Sequence, residues 1–557
     1  MDERKKVIIV GGGPVGLTAA LTLSNYPHNY DVVVLEQTAK DTAVSQYDAT
    51  KAYLYLVNPR GQTAFKNKFP SVLEKLQERG QANNMKNFVL VPGDPSEPLP
   101  KRQDDTKPQT SEMKSFADGQ KKAGTTSKDS YWIPRHLMVQ LLEEVIQEQQ
   151  MERTKQRGKD SWGSIELRSG QAFKSMKPKD GLLEVTVQDT TSADVRYEKT
   201  FTASLVVGAD GINSGVRNFL ANDTQIPATQ VPLATSPQMA SWLTMEPQKF
   251  IPKKFVSPAT GLRMRILQLP PRFSIPDADG SLVETEAKMS YGIRSICKGP
   301  FTRCSLGLLP GKDDTMVRPA NIILRPNHEL LKLKDGQSNK EWFAKAFPRM
   351  KFDKFVDDQE WERFATSEGT TFPCCQYSPG LQMASPDGEA GVVLIGDSTH
   401  SFPPDIGQGI NAGLADVVAL DRALIGEDMV TGKKRTTPAN LGEALQEFER
   451  VRRPELKSLI NLARCGAPYQ YKQPLRIDRF RRSLWMANIA FRSILNKLSF
   501  GIVAPPAIMM LQDDNLTYRQ LMRRADLTTA GLNAAFLAMM WALFGGIAKN
   551  VVKGLLS

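Results

Sequence analysis

A glycine turn joins an apolar strand to a helix near the start of the chain, and this arrangement restricts the fold more than any other segment does. The β-branched run Lys6–Val10 predicts a buried strand, and Leu17–Leu23 predicts a helix after the turn. Asp31–Leu35 predicts the next strand. Strand, helix and strand in this order form a βαβ unit, which indicates an α/β protein with a Rossmann-like parallel sheet.

The turn carries the spacing of a dinucleotide-binding fingerprint. Gly11, Gly13 and Gly16 form GxGxxG, and Glu36 follows roughly twenty residues later, at the end of the second strand. The first glycine permits the tight turn, the second lets a pyrophosphate approach backbone N–H groups, and the third lets helix and strand pack closely. Glu36 would accept hydrogen bonds from ribose hydroxyls. The alternative is a tight turn with no ligand, but strand, helix and acid in register favour a bound dinucleotide.

A second glycine-rich connection follows the predicted strand AGVVLIGD and reads GDSTHSFPPDIGQGINAGLAD, from Gly396 to Asp416. An ordinary strand-to-helix connection needs only a turn residue and a cap. This segment adds a proline pair and Gly-Gln-Gly before its helix, and residues without side chains let a ligand approach the backbone. We therefore expect a flat group to lie against it, and packing without any ligand is the alternative.

The segment LVVGADGINSGVR (Leu205–Arg217) and the Gly396–Asp416 segment resemble the second and third motifs of the FAD-dependent aromatic hydroxylases, the single-component flavoprotein monooxygenases. All three motifs occur in that family's order and spacing, and the similarity in pattern covers most of the chain. The resemblance implies that Asp210 and Gly211 lie near both the flavin and a pyridine nucleotide.

The same resemblance implies roles for the third motif and for one arginine. Gly396 and Asp397 would bind the ribityl or ribose hydroxyls, and Arg135 matches an arginine before the second FAD-contacting helix. The residues expected to act at the flavin ring and substrate are Pro404, Gly407, Gln408, Gly409 and Asn411. The helix after them would direct its positive end at the flavin and stabilise the negative charge of the reduced form.

Within the family, the chain most resembles the kynurenine 3-monooxygenase group. FERVRRPELKSLI and APPAIMMLQDDNLTYRQLMRRAD are similar to stretches of those enzymes, as is the apolar segment after them. Two stretches depart from their pattern. Lys51–Tyr55 has a different sequence, and the arginine that binds the substrate carboxylate has no clear match near Met85–Leu90.

Three functions follow from these observations. The first is an FAD-dependent monooxygenase that consumes NAD(P)H and O2 and inserts one oxygen atom into an electron-rich, aromatic small molecule. The second is a membrane-associated flavin epoxidase or reductase that acts on a lipid or isoprenoid, which the missing arginine favours. The third is a non-catalytic protein that reuses the fold, since a fold alone does not determine function.

Composition excludes some other classes. Basic residues exceed acidic ones by 72 to 60, but they are spread along the chain and fit no nucleic-acid-binding module, so no nucleic-acid partner is expected. The five cysteines have no zinc-ligand spacing and there are only four histidines, so no metal site is expected. An odd number of cysteines also favours a reducing compartment.

The predicted organisation has four parts. Residues 1–224 form the first part of the FAD-binding domain, with a polar insertion at about 89–130; 225–384 form an antiparallel-sheet substrate domain; and 385–425 complete the FAD-binding domain. Residues 426–557 form a helical region. Its apolar run 530–548 predicts a membrane anchor, hence an intracellular membrane facing the cytosol, such as the mitochondrial outer or ER membrane. A buried core helix is the alternative.

Overall fold

A computed structural model describes residues 4–39, 53–83, 87–100, 129–155, 163–191, 197–221, 247–299, 302–428, 433–434, 438–465, 469, 471, 475–511 and 513–555. The four residues 154, 543, 545 and 546, and those from 547 onward, are described for their backbone only.

Strands and helices are interspersed in the first half of the chain, and helices predominate at its end. The strands are β1 Lys6–Val10, β2 Asp31–Glu36, β3 Leu54–Val57, β4 Gln81–Ala82, β5 Phe88–Val91, β6 Tyr131–Pro134, β7 Ile165–Ser169, β8 Gln171–Lys179, β9 Leu182–Asp189, β10 Glu198–Ala203, β11 Leu205–Gly208, β12 Lys253–Phe255, β13 Arg263–Leu269, β14 Ser274–Pro276, β15 Leu282–Glu284, β16 Ser290–Arg294, β17 Ser305–Leu308, β18 Arg318–Leu324, β19 Thr370–Thr371, β20 Cys375–Tyr377, β21 Gln382–Ala384, β22 Gly391–Leu394 and β23 His400–Ser401. The helices are α1 Pro14–Ser24, α2 Pro59–Gln62, α3 Pro70–Arg79, α4 Arg135–Lys155, α5 Gly215–Leu220, α6 Gly336–Ala346, α7 Asp358–Thr366, α8 Gly409–Ile425, α9 Leu441–Cys465, α10 Arg476–Leu498 and α11 Tyr518–Leu555.

The central sheet has the order β21-β22-β11-β1-β2-β7 and is parallel except for β21. Alternate residues of β1 face two different layers, as the two-residue period of a strand requires. Val7 and Ile9 pack in a core with the helices, whereas Ile8 and Val10 pack in a core with the β8–β10 sheet. Because both faces are covered, β1 is apolar from Val7 to Val10. The predicted Rossmann-like fold is confirmed.

A second six-stranded sheet has the order β19-β13-β18-β17-β16-β5 and is antiparallel except where β16 pairs with β5. Leu267, Leu306 and Ile322 on one of its faces pack against Phe343 of α6 and Trp361 of α7. The antiparallel sheet expected in the middle of the chain is therefore present. It also includes a strand from outside the predicted substrate domain.

That strand corrects one boundary. The polar insertion was expected to begin at about residue 89, but Phe88–Val91 is β5, whose Val91 is buried in the second sheet's core. Four consecutive apolar residues there pair with β16, and this long-range pairing outweighs the polar composition that follows. Most of the expected insertion, 101–128, lies outside the described residues, as does the predicted boundary at 224–225. The four-part division stays a prediction.

The C-terminal helices pack onto the body at their start. Tyr518 and Leu521 of α11 share a buried cluster with Leu459 and Ile460 of α9 and with Ile406, which precedes the Gly-Gln-Gly segment. The amino-terminal end of α11 therefore lies beside the candidate site.

The predicted membrane span at 530–548 is not supported. It lies within α11, and among the described residues no helix is long and apolar enough to cross a membrane. The side chains at 543 and from 545 onward are outside the described set, so part of the predicted run falls there. Gly531 and Asn533 interrupt its apolar start. The buried-helix alternative also fails, because Leu537 and Trp541 are exposed.

Candidate cofactor-binding site

The three glycines of the first turn differ in what surrounds them. Gly11 has φ +111°, and a side chain there would collide with the carbonyl oxygen of Ala209. A side chain at Gly16 would collide with the carbonyl oxygen of Gly11, so both glycines are required for packing. Gly13 precedes α1, and a methyl group there would meet nothing within 4 Å. Open space therefore lies beside Gly13, where the fingerprint predicts a pyrophosphate.

Glu36 lies at the carboxyl end of β2, directly beside this turn. Its Oε2 accepts a hydrogen bond from the N–H of Gly12 at 2.8 Å, and its Oε1 accepts one from the N–H of Thr38 at 2.9 Å. These two bonds hold the carboxylate at the edge of the turn, where the fingerprint predicts a ribose.

The second motif places Asp210 and Gly211 directly after β11. Asp210 follows β11, and its Oδ2 accepts a hydrogen bond from the N–H of Val216 at 3.1 Å in the first turn of α5. Burial raises the pKa of the Asp210 carboxyl, although hydrogen bonds from Ser214 and backbone N–H groups oppose this. Its Oδ1 is buried and has no hydrogen-bond partner within the described part of the chain. Next to it, Gly211 has φ +80° and open space where a side chain would be.

The third motif joins the other two through short contacts. Ser398 Oγ donates to the carbonyl oxygen of Gly208 at 2.7 Å, which ties the third motif to the end of β11. Gly396 has φ +63° and packs against Val15 of α1, where a methyl group would lie 3.3 Å from Val15 Cγ1. Three motifs separated by hundreds of residues therefore meet at adjacent strand ends, the usual ligand position in such sheets.

Asp397 lies in the short 3-10 turn Gly396–Ser398, which follows β22. Its side chain is solvent-accessible, yet burial raises the pKa of its carboxyl, an effect that His400 opposes and Asp416 reinforces. A carboxylate that is surrounded by protein groups but faces a recess open to solvent has both properties.

Arg135 lies at the start of α4, next to the tyrosines of the β3 region. Its guanidinium is 5.9 Å from the ring centroid of Tyr53 and interacts electrostatically with Tyr55 and Glu36, while Tyr55 in turn interacts electrostatically with Asp397. Burial raises the pKa of Tyr55 well above its usual range, so the hydroxyl stays protonated at neutral pH. We refer to the space bounded by Glu36, Tyr55, Arg135 and Asp397 as the cleft. Tyr55 was not among the predicted site residues.

The Gly-Gln-Gly segment has the geometry of a backbone-lined surface. Pro404 begins a short 3-10 turn that ends at Gly407, which has φ +59°, and α8 begins at Gly409. A methyl group at Gly409 would meet nothing within 4 Å. The helix N-terminus is therefore open on the side where a flat ring was expected.

Asn411 makes hydrogen bonds within the protein through both ends of its side-chain amide. Its Oδ1 accepts from the N–H of Asn58 at 2.9 Å, and its Nδ2 donates to the carbonyl oxygens of Leu56 at 2.8 Å and Gly407 at 3.1 Å. Both ends of the amide are thus used within the protein. Asn411 fastens the Gly407 turn to β3, and a direct contact with substrate stays a prediction.

A buried ion network supports the third motif, and the sequence patterns did not reveal it. Asp416 in α8 binds Arg452 of α9, with Arg452 Nε 2.8 Å from Asp416 Oδ1. Its Oδ2 accepts from the N–H of Gly396 at 2.8 Å and contacts His400 Nε2 at 2.8 Å. Burial would raise the pKa of Asp416, but Arg452 and His400 outweigh it and hold that pKa below its usual value. His400 therefore pairs with Asp416 and stabilises the turn.

These residues fit an FAD molecule. Open space at Gly13, Gly211 and Gly409 matches places where a ligand would contact the backbone. Asp210 Oδ1 and Gln408 Nε2 are buried polar atoms without partners among the described residues, and buried polar atoms normally have one. For the residues that the structure describes, no cluster of side chains could hold a metal ion.

Comparison with known proteins identifies the same segments. A family model described as "FAD binding domain" matches residues 381–435, which include β22, the Gly396 turn and α8. The kynurenine 3-monooxygenase of Cryptococcus neoformans var. neoformans serotype D is 25% identical over 477 residues, covering 83% of this chain and 78% of that protein. This chain is a distant relative of the FAD-dependent monooxygenases. The resemblance inferred from the three motifs is thereby confirmed.

Other relatives within the FAD-dependent monooxygenases match over shorter stretches. The enzyme cdmI of Talaromyces verruculosus is 30% identical over 125 residues, covering 21% of this chain and 26% of that protein. The enzyme janM of Penicillium janthinellum is 31% identical over 84 residues, covering 15% of this chain and 18% of that protein. The chain thus matches about a quarter or less of the length of these two relatives.

A solved structure shares the fold of this monooxygenase relative. The crystal structure of CtdE in complex with FAD and substrate 4 matches with a TM-score of 0.52 and 16% sequence identity. The match covers 95% of this chain and 100% of the CtdE chain. At this identity the match concerns the fold alone.

Proposed function

We propose that this protein is an FAD-dependent monooxygenase that consumes NAD(P)H and O2 and transfers one oxygen atom to an electron-rich, aromatic small molecule. The convergence of the three motifs on one cleft carries the proposal. Each motif alone is compatible with simple packing. Together they would supply backbone N–H groups, carboxylates for ribose and ribityl hydroxyls, and a helix N-terminus at adjacent strand ends. Such an arrangement suits an extended dinucleotide.

The first and second motifs would hold the adenosine and pyrophosphate end. The N-terminus of α1 with the open backbone at Gly13 would bind the pyrophosphate, because helix N-termini attract anions. Glu36 would accept from the ribose hydroxyls, and Arg135 would lie between them and Tyr55. Asp397 would accept from hydroxyls further along the cleft. Asp210 and Gly211 would lie near the flavin and the pyridine nucleotide.

The Gly-Gln-Gly segment would hold the ring. When bound, FAD supplies the hydride acceptance and O2 activation that amino-acid side chains lack. The chain contributes the positive end of α8 and the N–H groups at Gly407 and Gly409, which favour negative charge on a group placed there. Pro404 stiffens the approach to this turn, and Asn411 fastens it to β3. The rigid turn fixes the position of whatever binds against it.

Aromatic side chains beside this turn support an aromatic substrate. Tyr471 interacts with Asp405 of the 3-10 turn, and its ring packs on Phe372 with 6.0 Å between ring centroids. Tyr377, whose strand pairs with β23, stacks on Phe255 at 6.3 Å with an interplanar angle of 8°. Offset and edge contacts between rings stabilise aromatic partners beyond simple burial.

A second candidate is a flavin epoxidase or reductase acting on a lipid or isoprenoid at a membrane surface. One observation favours it: α10 exposes Phe480, Leu484 and Phe491, and its sequence also carries Arg476 and Arg479. An amphipathic helix with basic residues binds an anionic interface without crossing it. The cytosolic face of an intracellular membrane would suit such a helix.

The proposal is tested by turnover under ¹⁸O2. Protein loaded with FAD is supplied with NADH or NADPH and with candidate substrates, beginning with kynurenine and then simple phenols, anilines and isoprenoids, and products are weighed by mass spectrometry. We expect nicotinamide oxidation that a substrate stimulates and a product heavier by one ¹⁸O atom. Asp397→Ala should abolish it, while the surface variant Asp358→Ala should retain it. FAD-loaded protein that never incorporates ¹⁸O would contradict monooxygenation.

A further inference from the structure

Gln408 is the residue between the two glycines of the Gly-Gln-Gly segment, and its side chain is completely buried. Its Oε1 accepts a hydrogen bond from the hydroxyl of Tyr518 at 2.9 Å, and Asn58 Nδ2 lies 3.5 Å from the same oxygen. Its Nε2 is buried and has no partner within the described chain. The amide thus has one end held by the protein and one end free to donate.

The orientation of the Gln408 amide can be assigned through Asn58, because a backbone N–H group can only donate. The N–H of Gly61 can only donate, and it donates to Asn58 Oδ1 at 3.2 Å. The other end of the Asn58 amide is therefore its Nδ2, a donor, which must face an acceptor. The atom of Gln408 facing it is accordingly Oε1, so Nε2 points elsewhere. Reversing the Gln408 amide would bring two NH2 groups together.

Tyr518 is buried and is held in place by Arg60. It is the first residue of α11 and is 1% exposed. The guanidinium of Arg60 lies over its ring, 4.4 Å from the centroid, and donates to the carbonyl oxygens of Asp513 at 2.8 Å and Leu516 at 2.6 Å. Burial raises the pKa of the Tyr518 hydroxyl, which keeps it a donor at neutral pH.

A buried donor without an acceptor is costly, so the free Nε2 points to a ligand that accepts a hydrogen bond. The oxidised and reduced flavin rings both carry carbonyl oxygens on their polar edge. We infer that Gln408 Nε2 donates to the flavin ring held against Gly407 and Gly409, and that Tyr518 from the C-terminal helix is the positioning residue that fixes this donor. The inference rests on the proposed binding of FAD.

The assignment makes the C-terminal region part of the cofactor site. The start of α11 is separated from Gln408 by more than a hundred residues of sequence, yet the contact is direct. A flavin bound at the Gly-Gln-Gly segment would thus register changes at Tyr518 even though Tyr518 itself does not touch it.

The test is a double-mutant cycle on FAD binding in the absence of substrate. Gln408→Met removes the amide at similar volume, Tyr518→Phe removes only the hydroxyl, and the third variant combines them. The FAD dissociation constant is obtained from quenching of flavin fluorescence, and the visible absorbance maxima of bound FAD are recorded. Tyr291→Phe is the matched control, because its buried hydroxyl accepts from the N–H of Glu286 at 2.9 Å within the second sheet.

We expect Gln408→Met to weaken FAD binding about tenfold and to shift the absorbance maxima, as loss of one hydrogen bond to a ligand predicts. Tyr518→Phe should weaken it about threefold and shift the maxima in the same direction. The double variant should match Gln408→Met alone, because Tyr518 acts through that amide. Tyr291→Phe should leave both quantities unchanged. If Tyr518→Phe fails to fold, Arg60→Lys, which loosens the same contact, should shift the maxima in that direction.

Three results would overturn the inference. Fully additive losses in the double variant would mean that Tyr518 does not act through Gln408. Unchanged FAD affinity and spectra in all three variants would mean that the donor does not face the flavin. Unchanged FAD binding combined with a raised KM for substrate would assign the donor to the substrate. Failure of the unaltered protein to bind FAD would instead overturn the proposed function.

Discussion

Arg452 Nε lies 2.8 Å from Asp416 Oδ1, and both side chains are almost completely buried. The second carboxylate oxygen of Asp416 accepts from the N–H of Gly396, the residue before Asp397. An ion pair between α8 and α9 therefore supports the turn that presents Asp397 to the cleft. The stability of the fold and the geometry of the site depend on the same pair.

Asp416→Asn should be strongly destabilising. The substitution removes the carboxylate that pairs directly with the buried Arg452 guanidinium, and breaking a buried pair from one side costs about 3–5 kcal/mol. Urea unfolding of the apo-protein measures this loss. Asp358→Asn is the control, because the exposed pair of Asp358 with Lys340 should contribute less than about 1 kcal/mol. A loss for Asp416→Asn no larger than that of the control would contradict the structural role of the pair.

Two glycines of the first turn should respond oppositely to alanine. At Gly13, which has φ −75° and open space, Gly13→Ala should leave the apo-protein as stable or about 0.5 kcal/mol more stable. It should nevertheless weaken FAD binding about tenfold or more, because the methyl group occupies the ligand's space. Gly16→Ala should destabilise the apo-protein by about 1–3 kcal/mol or more, because its methyl group meets a backbone carbonyl. Thermal unfolding and FAD titration separate the two effects, and equal behaviour of the two variants would refute the distinction.

Asp405 should make apo-protein stability depend on pH. Burial raises the pKa of its carboxyl from 3.8 to about 7, although Tyr471 opposes the shift. Between these two pH values the folded protein holds a proton on Asp405 that the unfolded chain has released. The contribution of this proton to the free energy of unfolding is therefore full below pH 4 and is lost as the pH rises through 7. Relative to Asp405→Asn, the parent protein should therefore lose stability steadily from pH 4 to pH 7. Parallel stability curves for parent and variant across this range would show that the carboxyl does not titrate as stated.

If the protein acts at a membrane surface, the exposed apolar face of α10 should bind anionic vesicles. Phe480 and Leu484 are 59% and 55% exposed, and Phe480→Ser with Leu484→Ser should reduce co-sedimentation with phosphatidylserine-containing vesicles about tenfold. Val256→Ser with Leu282→Ser removes two exposed apolar side chains elsewhere, at 76% and 64% exposure, and should have no effect. No vesicle binding by the parent protein would remove the support for a membrane-borne substrate.

The sequence predicted those parts of the site whose chemistry is local. The first turn, Glu36, Asp210, Asp397 and the Gly-Gln-Gly segment each lie in a short pattern whose residue spacing reports a strand end or a helix start. Their convergence followed from the rule that parallel strands present their carboxyl ends at one edge. The antiparallel sheet was likewise readable from alternating apolar residues.

Long-range contacts were not readable in the same way. Tyr55 lies in a stretch that departs from the related enzymes, and its contact with Arg135 crosses from β3 to the end of β6. The pair Asp416–Arg452 joins α8 to α9, and the pair Gln408–Tyr518 joins the start of α8 to α11. In sequence these polar residues look like ordinary surface positions. The strand Phe88–Val91 was not predicted, because a polar stretch follows it directly. The apolar run in α11 was wrongly predicted to be a membrane span.

The FAD content of the purified protein after reconstitution shows directly whether the three motifs form an FAD-binding site. The parent protein and Asp358→Ala should each retain close to one FAD per chain after gel filtration, with the visible absorbance of a protein-bound flavin. Asp397→Ala should elute with little or no flavin and an unchanged thermal unfolding profile. If the parent protein retains no flavin, or if Asp397→Ala retains as much as the parent, the three motifs do not form the FAD site described here.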